Sequence, residues 1–123
     1  MSALVIFSVD VRRLGIFYER VLGWKPTVEE SGDIRLRRGQ EELLIHSIPP
    51  RFAKNIEVRV PPEPRKDSAI KPVFTVDSPN DSLDAVKKNG GVITKRTFTL
   101  NGLTRHDVVD PDGNVVQLRW RAE

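Results

Sequence analysis

The chain has 123 residues, enough for one ordinary globular domain with a hydrophobic core, and its 38% hydrophobic and 30% charged residues exclude a disordered chain. There is no cysteine, which rules out disulfides, Cys-based zinc sites and thiol nucleophiles. The net charge of +3 raises nucleic acid as a partner, but Arg12-Arg13, Arg35, Arg37-Arg38, Lys87-Lys88 and Lys95-Arg96 are scattered among acids without an aromatic platform, which disfavours it.

Ala3 to Phe7 is short, apolar and β-branched, as in a buried strand, and is too short to span a bilayer. No basic leader pattern accompanies it, so no membrane partner and a cytoplasmic location are expected. Asp10 then supplies an N-cap. Val11, Leu14, Phe17, Tyr18, Val21 and Leu22 recur at helical spacing, and Gly23 stands where a left-handed cap closes a helix. Residues 24–29, 34–38 and 42–48 read as three strands, with turns at Ser31-Gly32-Asp33 and around Gly39.

Residues 49–68 hold five of the nine prolines and read as a connector. Within it, Ile56 to Val60 alternates apolar and polar residues, the pattern of a short edge strand. The opening pattern then returns. Val73 to Val76 is strand-like, Ser78-Pro79 opens a helix with Asp81 placed for an acidic capping box, and Asn89-Gly90-Gly91 stops it. Strands are expected at 91–94, 103–109 and 114–120, the last two joined by Asp110-Pro111-Asp112-Gly113, a type I turn with glycine in the left-handed position.

Asp10 to Gly23 and Asp77 to Gly90 span the same distance, so the chain reads as a β-α-β-β-β unit used twice. The modules cover about 1–48 and 69–123 of one domain. A four-stranded sheet with one helix leaves its second face uncovered. Two such units make an α+β protein whose eight strands form a curved sheet, a cup with helices outside.

The stretch Asp10-Val-Arg-Arg-Leu-Gly-Ile-Phe-Tyr-Glu-Arg-Val-Leu-Gly23 resembles the first helix of the vicinal-oxygen-chelate superfamily, the glyoxalase, bleomycin-resistance and extradiol-dioxygenase type. Asp110-Pro-Asp-Gly-Asn-Val-Val-Gln-Leu118 resembles its final hairpin. The resemblance implies this duplicated fold, a small-molecule cup and a homodimer. In the metalloenzymes of the superfamily four strands supply His, Gln or Glu to a divalent ion. Carried over by position, those ligands fall on Ala3, Lys71, Gln117 and one residue within Leu43 to His46. Alanine cannot ligate and a protonated lysine repels a cation, so no metal and no other cofactor is expected.

The expected ligand site comprises Gln117, Lys71 and His46 as polar anchors, with Val5, Phe7, Val115, Trp24 and His106 as lining. Each has a plainer reading. Gln117 and His106 can be surface strand residues, and His46 a half-buried structural histidine. Trp24 can be a core or dimer contact, and Lys71 a surface lysine if the strand register slips by one. A cationic Lys71 favours an anionic or carbonyl-bearing ligand. Two further readings stand beside the binding protein. One is an enzyme, either a metal-dependent lyase, isomerase or dioxygenase with unusual ligands or a metal-free acid-base catalyst using His46 or Lys71. The other, an interaction module, rests on charge alone. There is no Gly-x-Ser-x-Gly elbow and no glycine-rich phosphate loop.

Overall fold

The computed structural model describes residues 2–123 and divides into two compact units, Met1–Glu57 and Val58–Glu123. The first contains β1 (Ser2–Ser8), α1 (Val11–Leu22), β2 (Lys25–Val28), β3 (Ile34–Arg38), β4 (Glu41–Ser47) and a short helix, α2 (Pro50–Ala53). The second contains β5 (Val73–Thr75), α3 (Pro79–Lys88), β6 (Val92–Leu100), β7 (Leu103–Val109) and β8 (Val115–Arg121). The sheet orders, β1-β4-β3-β2 and β5-β8-β7-β6, are the same pattern twice, giving eight strands in an α+β arrangement. In each sheet the first and last strands pair in parallel and the remaining pairs are antiparallel.

Strand alternation assigns the two faces of the first sheet. Register pairs Leu36 with Leu43 and Ile34 with Ile45, and Leu36, Leu43 and Ile45 are fully buried beneath α1. The helix presents Leu14, Phe17, Tyr18, Val21 and Leu22 to them, and its approach is close. A Cβ on Gly15 would stand 2.5 Å from Ile34 Cδ1. The ends of α1 follow from local chemistry. The Asp10 carboxylate accepts the Arg13 N–H at 3.1 Å, satisfying one of the orphan donors of the first turn. At the other end Gly23 adopts φ +72° and donates its N–H to the Glu19 carbonyl.

In the second unit Phe74, Val86, Val108, Val116 and Leu118 are buried, and α3 contributes only Ser82 and Val86 from its own sequence. Ser78 is the N-cap residue, but its side chain makes no capping bond, so the expected capping box does not form. Pro79 at the first helical position starts the helix without it, since its ring fixes φ near the helical value. The β7–β8 turn is held by Asp110, a fully buried carboxylate. Its Oδ1 accepts the N–H groups of Asp112 and Asn114, each at 2.9 Å, and its Oδ2 accepts Asn114 Nδ2 at 2.9 Å. Gly113 closes the turn at φ +89°, where a Cβ would lie 2.6 Å from the Glu63 carbonyl oxygen. That contact and the bond from Arg65 N to the Gly113 carbonyl tie part of the proline-rich segment to the turn.

Three expectations change. Residues 56–60 form no strand, because their backbone runs irregularly between prolines. Instead Pro49 and Pro50 start α2, proline being well suited to a first helical turn. Finally, β6 extends to Leu100 rather than stopping at residue 94, with a register irregularity between Ile93 and Thr97. No described helix is long and apolar enough to cross a membrane.

Candidate functional site

Each sheet has a second face, turned away from its helix, and six of the sequence-derived residues fall on these faces, Val5, Phe7 and His46 in the first unit and Lys71, Val115 and Gln117 in the second. In the second unit β8 lies between β5 and β7, so Gln117 is flanked in register by Val73 and Asp107. Residues in register share a face. The Gln117 N–H also donates to the Pro72 carbonyl, which extends the alignment of β5 back toward Lys71.

Asp107, 3% exposed, is the centre of a polar network on this face. Lys71 Nζ donates to its Oδ2 at 2.7 Å, and Arg96 Nε lies 3.5 Å from the same oxygen. Gln117 Nε2 donates to Oδ1 at 3.1 Å, while Gln117 Oε1 accepts from Arg105 Nη1 at 3.2 Å. This chain of bonds fixes which way the Gln117 amide points, since its oxygen meets a guanidinium and its nitrogen a carboxylate. Arg119, opposite Arg105 in register, donates through Nε to Thr75 Oγ1 at 2.9 Å. Lys71 and Arg96 thus meet the Asp107 carboxylate directly, Arg105 is linked to it through Gln117, and Arg119 lies beside Arg105 on the same face. Arg105 Nε is buried without a hydrogen-bond partner among the described residues. The arrangement is a cationic, half-exposed surface with a rigid buried anchor beneath it.

The same register argument locates the corresponding positions in the first unit. Lys71 stands two residues before Val73, which pairs with Gln117; Ala3 stands two residues before Val5, which pairs with Leu44. Leu44 is therefore the fourth position left open within Leu43 to His46. Alanine and leucine offer no donor atoms, Lys71 is engaged as an ammonium by Asp107, and Gln117 is bonded to Asp107 and Arg105. These residues do not fit a divalent cation. Among the described residues no group of three His, Cys, Asp or Glu is placed to hold a metal.

His46 is on the open face of the first unit, paired with Phe7 in register, the two rings packing edge to face at 5.4 Å. Its Nδ1 meets Asp33 Oδ2, while Asp33 Oδ1 accepts the Ser47 N–H at 3.1 Å. The hydrogen bond from His46 holds the Asp33 carboxyl below its ordinary value, opposed by burial and helped by the Ser47 amide. Farther along the same face Glu42, nearly buried, is clamped between Arg35 and Arg37, and Arg35 also bonds Glu29.

Phe7 is 57% exposed and Val5 46%, so both present apolar surface on this face. Val115 is half-buried at the start of β8 opposite Val109. His106 pairs in register with buried Leu118 and so belongs to the opposite face from Gln117, where its Nε2 meets the Thr94 carbonyl at 2.7 Å. Trp24 is 4% exposed, within the core of the first unit. A cleft of about 640 Å³ also opens in the second unit, lined by Thr75, Pro79, Asn80, Leu103, Trp120 and Arg121, and none of the sequence-derived residues lines it. Sequence reasoning missed Asp33 and Asp107. The available signal was register, which sets Asp107 opposite Gln117 and brings the Ser31-Gly32-Asp33 turn to the end of the strand bearing His46.

No protein-family profile matches the chain, and no curated protein matches it. Solved structures do. A glyoxalase/bleomycin resistance protein/dioxygenase family enzyme from Burkholderia phytofirmans PsJN superposes with TM-score 0.73 at 16% identity, covering 98% of this chain and 98% of that one. A glyoxalase/bleomycin resistance protein from Albidiferax ferrireducens T118 gives TM-score 0.72 at 21% identity, with coverages of 99% and 98%. The fosfomycin resistance protein FosX from Mesorhizobium loti gives TM-score 0.68 at 14% identity, with coverages of 99% and 92%.

Proposed function

We propose, from the premise that this chain has the vicinal-oxygen-chelate fold of those structures, that it is a small-molecule-binding protein working without a catalytic metal. The observation that carries this reading is the Lys71 ammonium bonded to buried Asp107 at 2.7 Å, at a position where the superfamily's metalloenzymes place a ligand. A fixed positive charge there favours a ligand that brings its own negative charge or a polarised carbonyl. Arg105 and Lys71 would donate to it, and the half-buried Val115 would cover part of its apolar body. Two of the similar structures are named for drug resistance, which accords with a small-molecule ligand. Homodimerisation and a cytoplasmic location complete the proposal.

The test begins with a thermal-shift screen of carboxylates, phosphomonoesters and phosphonates, followed by calorimetric affinities. Lys71→Met and Gln117→Ala should each weaken the best anion by about tenfold to a hundredfold, or about 1–3 kcal/mol. Unchanged affinity in both variants removes these residues from the site. In parallel, protein purified without added metal should contain well under one equivalent of zinc, nickel, iron or manganese. A stoichiometric ion that raises the melting temperature would overturn the metal-free reading.

A further inference from the structure

We propose that His46 and Asp33 form a proton-transfer dyad on the open face of the first unit, with Asp33 orienting the imidazole so that Nε2 acts as a base toward an uncharged small molecule. This goes beyond the anion-binding reading, which rests on residues of the other unit.

The geometry has three parts. First, a carboxylate accepts and does not donate, so the nitrogen that meets Asp33 Oδ2 must carry the proton. In the neutral ring that nitrogen is Nδ1, which leaves the lone pair on Nε2. Second, the carboxylate is itself fixed. Asp33 is 6% exposed, and its other oxygen is held by the Ser47 N–H at 3.1 Å. Third, the His46 side chain is 45% exposed and stands beside apolar Phe7, Val5 and half-buried Leu44 on the same sheet face.

The charged groups on this face are Asp33 itself, Glu29, Glu42, Arg35, Arg37 and exposed Lys25, which stands opposite Arg37 in register. Arg35 bonds both Glu29 and Glu42, and Arg37 bonds Glu42. With the two glutamates and two arginines satisfied by one another and Lys25 out on β2, an apolar, uncharged body suits the surface around Nε2. Its reactive part would be a C–H or N–H made weakly acidic by a neighbouring electron-withdrawing group. Such a dyad has the parts of a general base and its orienting group. His46 would be the catalytic residue and Asp33 a positioning residue.

The competing account is purely structural, with the pair only tying the β2–β3 turn to the end of β4. Tautomers test the hydrogen bond that both accounts need, and the rate measurement that follows separates the two. The chain has two histidines, and the geometry assigns them opposite neutral forms. His46 is protonated on Nδ1, whereas His106 must be protonated on Nε2 to donate to the Thr94 carbonyl. Long-range proton–nitrogen NMR spectra recorded above the imidazole titration should display one of each. In Asp33→Asn the side-chain oxygen can still accept the Ser47 N–H while the amide donates to Nδ1. His46 should then switch to the Nε2-protonated form with the backbone spectrum preserved.

The functional probe is 5-nitrobenzisoxazole, which needs only a base. His46 Nε2 takes the ring C–H proton, the C–H electron pair forms the nitrile as the N–O bond breaks, and the negative charge leaves as 2-cyano-4-nitrophenolate. The imidazolium then returns its proton to water. The protein should accelerate this opening above buffer, with saturation and a rate that rises with pH. Asp33→Asn should slow it at least tenfold, and His46→Gln should abolish it. An Nε2-protonated His46 in the unaltered protein would overturn the proposal, whether or not Asp33→Asn folds. So would equal rates for the unaltered protein and His46→Gln. Either failure leaves anion binding at Lys71 and Gln117 standing, because that reading is measured by separate variants.

Discussion

In the first unit α1 lays five large side chains, Leu14, Phe17, Tyr18, Val21 and Leu22, onto its sheet, while the open face around Val5 and Phe7 stays apolar and exposed. In the second unit α3 buries only Ser82 and Val86, and the open face holds two buried polar residues, Asp107 and Gln117, ringed by cations. The strand order is the same in both. The topology therefore does not dictate how much a helix buries. Both open faces carry buried carboxylates held by cations, Glu42 in the first unit and Asp107 in the second, so the units differ chiefly in how much apolar side chain each helix lays on its sheet.

The contrast can be broken by mutation. Phe17 is fully buried, and Phe17→Ala should cost about 3–5 kcal/mol in urea-induced unfolding, the largest effect expected here. A loss under 1 kcal/mol would mean that α1 does not anchor its unit. Asp107→Ala leaves Lys71, Arg96 and Gln117 without their common acceptor, at a cost of about 2 kcal/mol. The paired change Lys71→Met with Asp107→Leu should recover most of that loss, because both charges are removed together. Failure to recover would show that the network is not the source.

Val86→Ala tests the weaker helix. Val86 is fully buried but small, so about 1.5 kcal/mol is expected, well below the Phe17 effect. Equal losses at the two sites would erase the distinction between the helices. The smallest effect is an acid limb of stability from Asp33, whose native carboxyl titrates below its ordinary value chiefly because of His46. A lowered native pKa means that the unfolded chain binds the proton first. The stabilisation is complete above the unfolded value of about 4 and is lost as pH falls through the native one. Asp33→Asn should therefore flatten the stability profile on the acid side, and parallel profiles for the two proteins would count against the His46 contact.

How much of this was readable from sequence depended on whether the cause was local. Asp10 and Gly23 bound α1 through bonds within a few residues, and Asp110 with Gly113 shapes its own turn. These features were legible for that reason. The capping box at Ser78 was also a local signal, but the serine side chain makes no capping bond. The Pro49-Pro50 start of α2 was overlooked because prolines in a charged stretch read first as a connector. The outer half of β6 was missed because Lys95 to Leu100 is largely exposed and a register irregularity interrupts its alternation. Gln117, Lys71 and His46 could be singled out from the sequence, but their partners could not be. Asp107 and Asp33 meet them only through cross-strand register, which no short window of sequence contains.

The parallel pairing of first and last strands has a consequence for how the chain is made. In each sheet the last strand to be synthesised, β4 or β8, sits in an interior position beside the first. Neither sheet can close by zipping up neighbouring hairpins alone, since its central place stays vacant until the final strand emerges. On a translating ribosome the first unit can complete its sheet once Ser47 has cleared the exit tunnel, while the second must wait for Arg121. Until then β5 and α3 have no interior strand to rest on. A chain stalled near residue 110 would thus carry one finished sheet and one exposed apolar fragment, a natural target for chaperones and proteases.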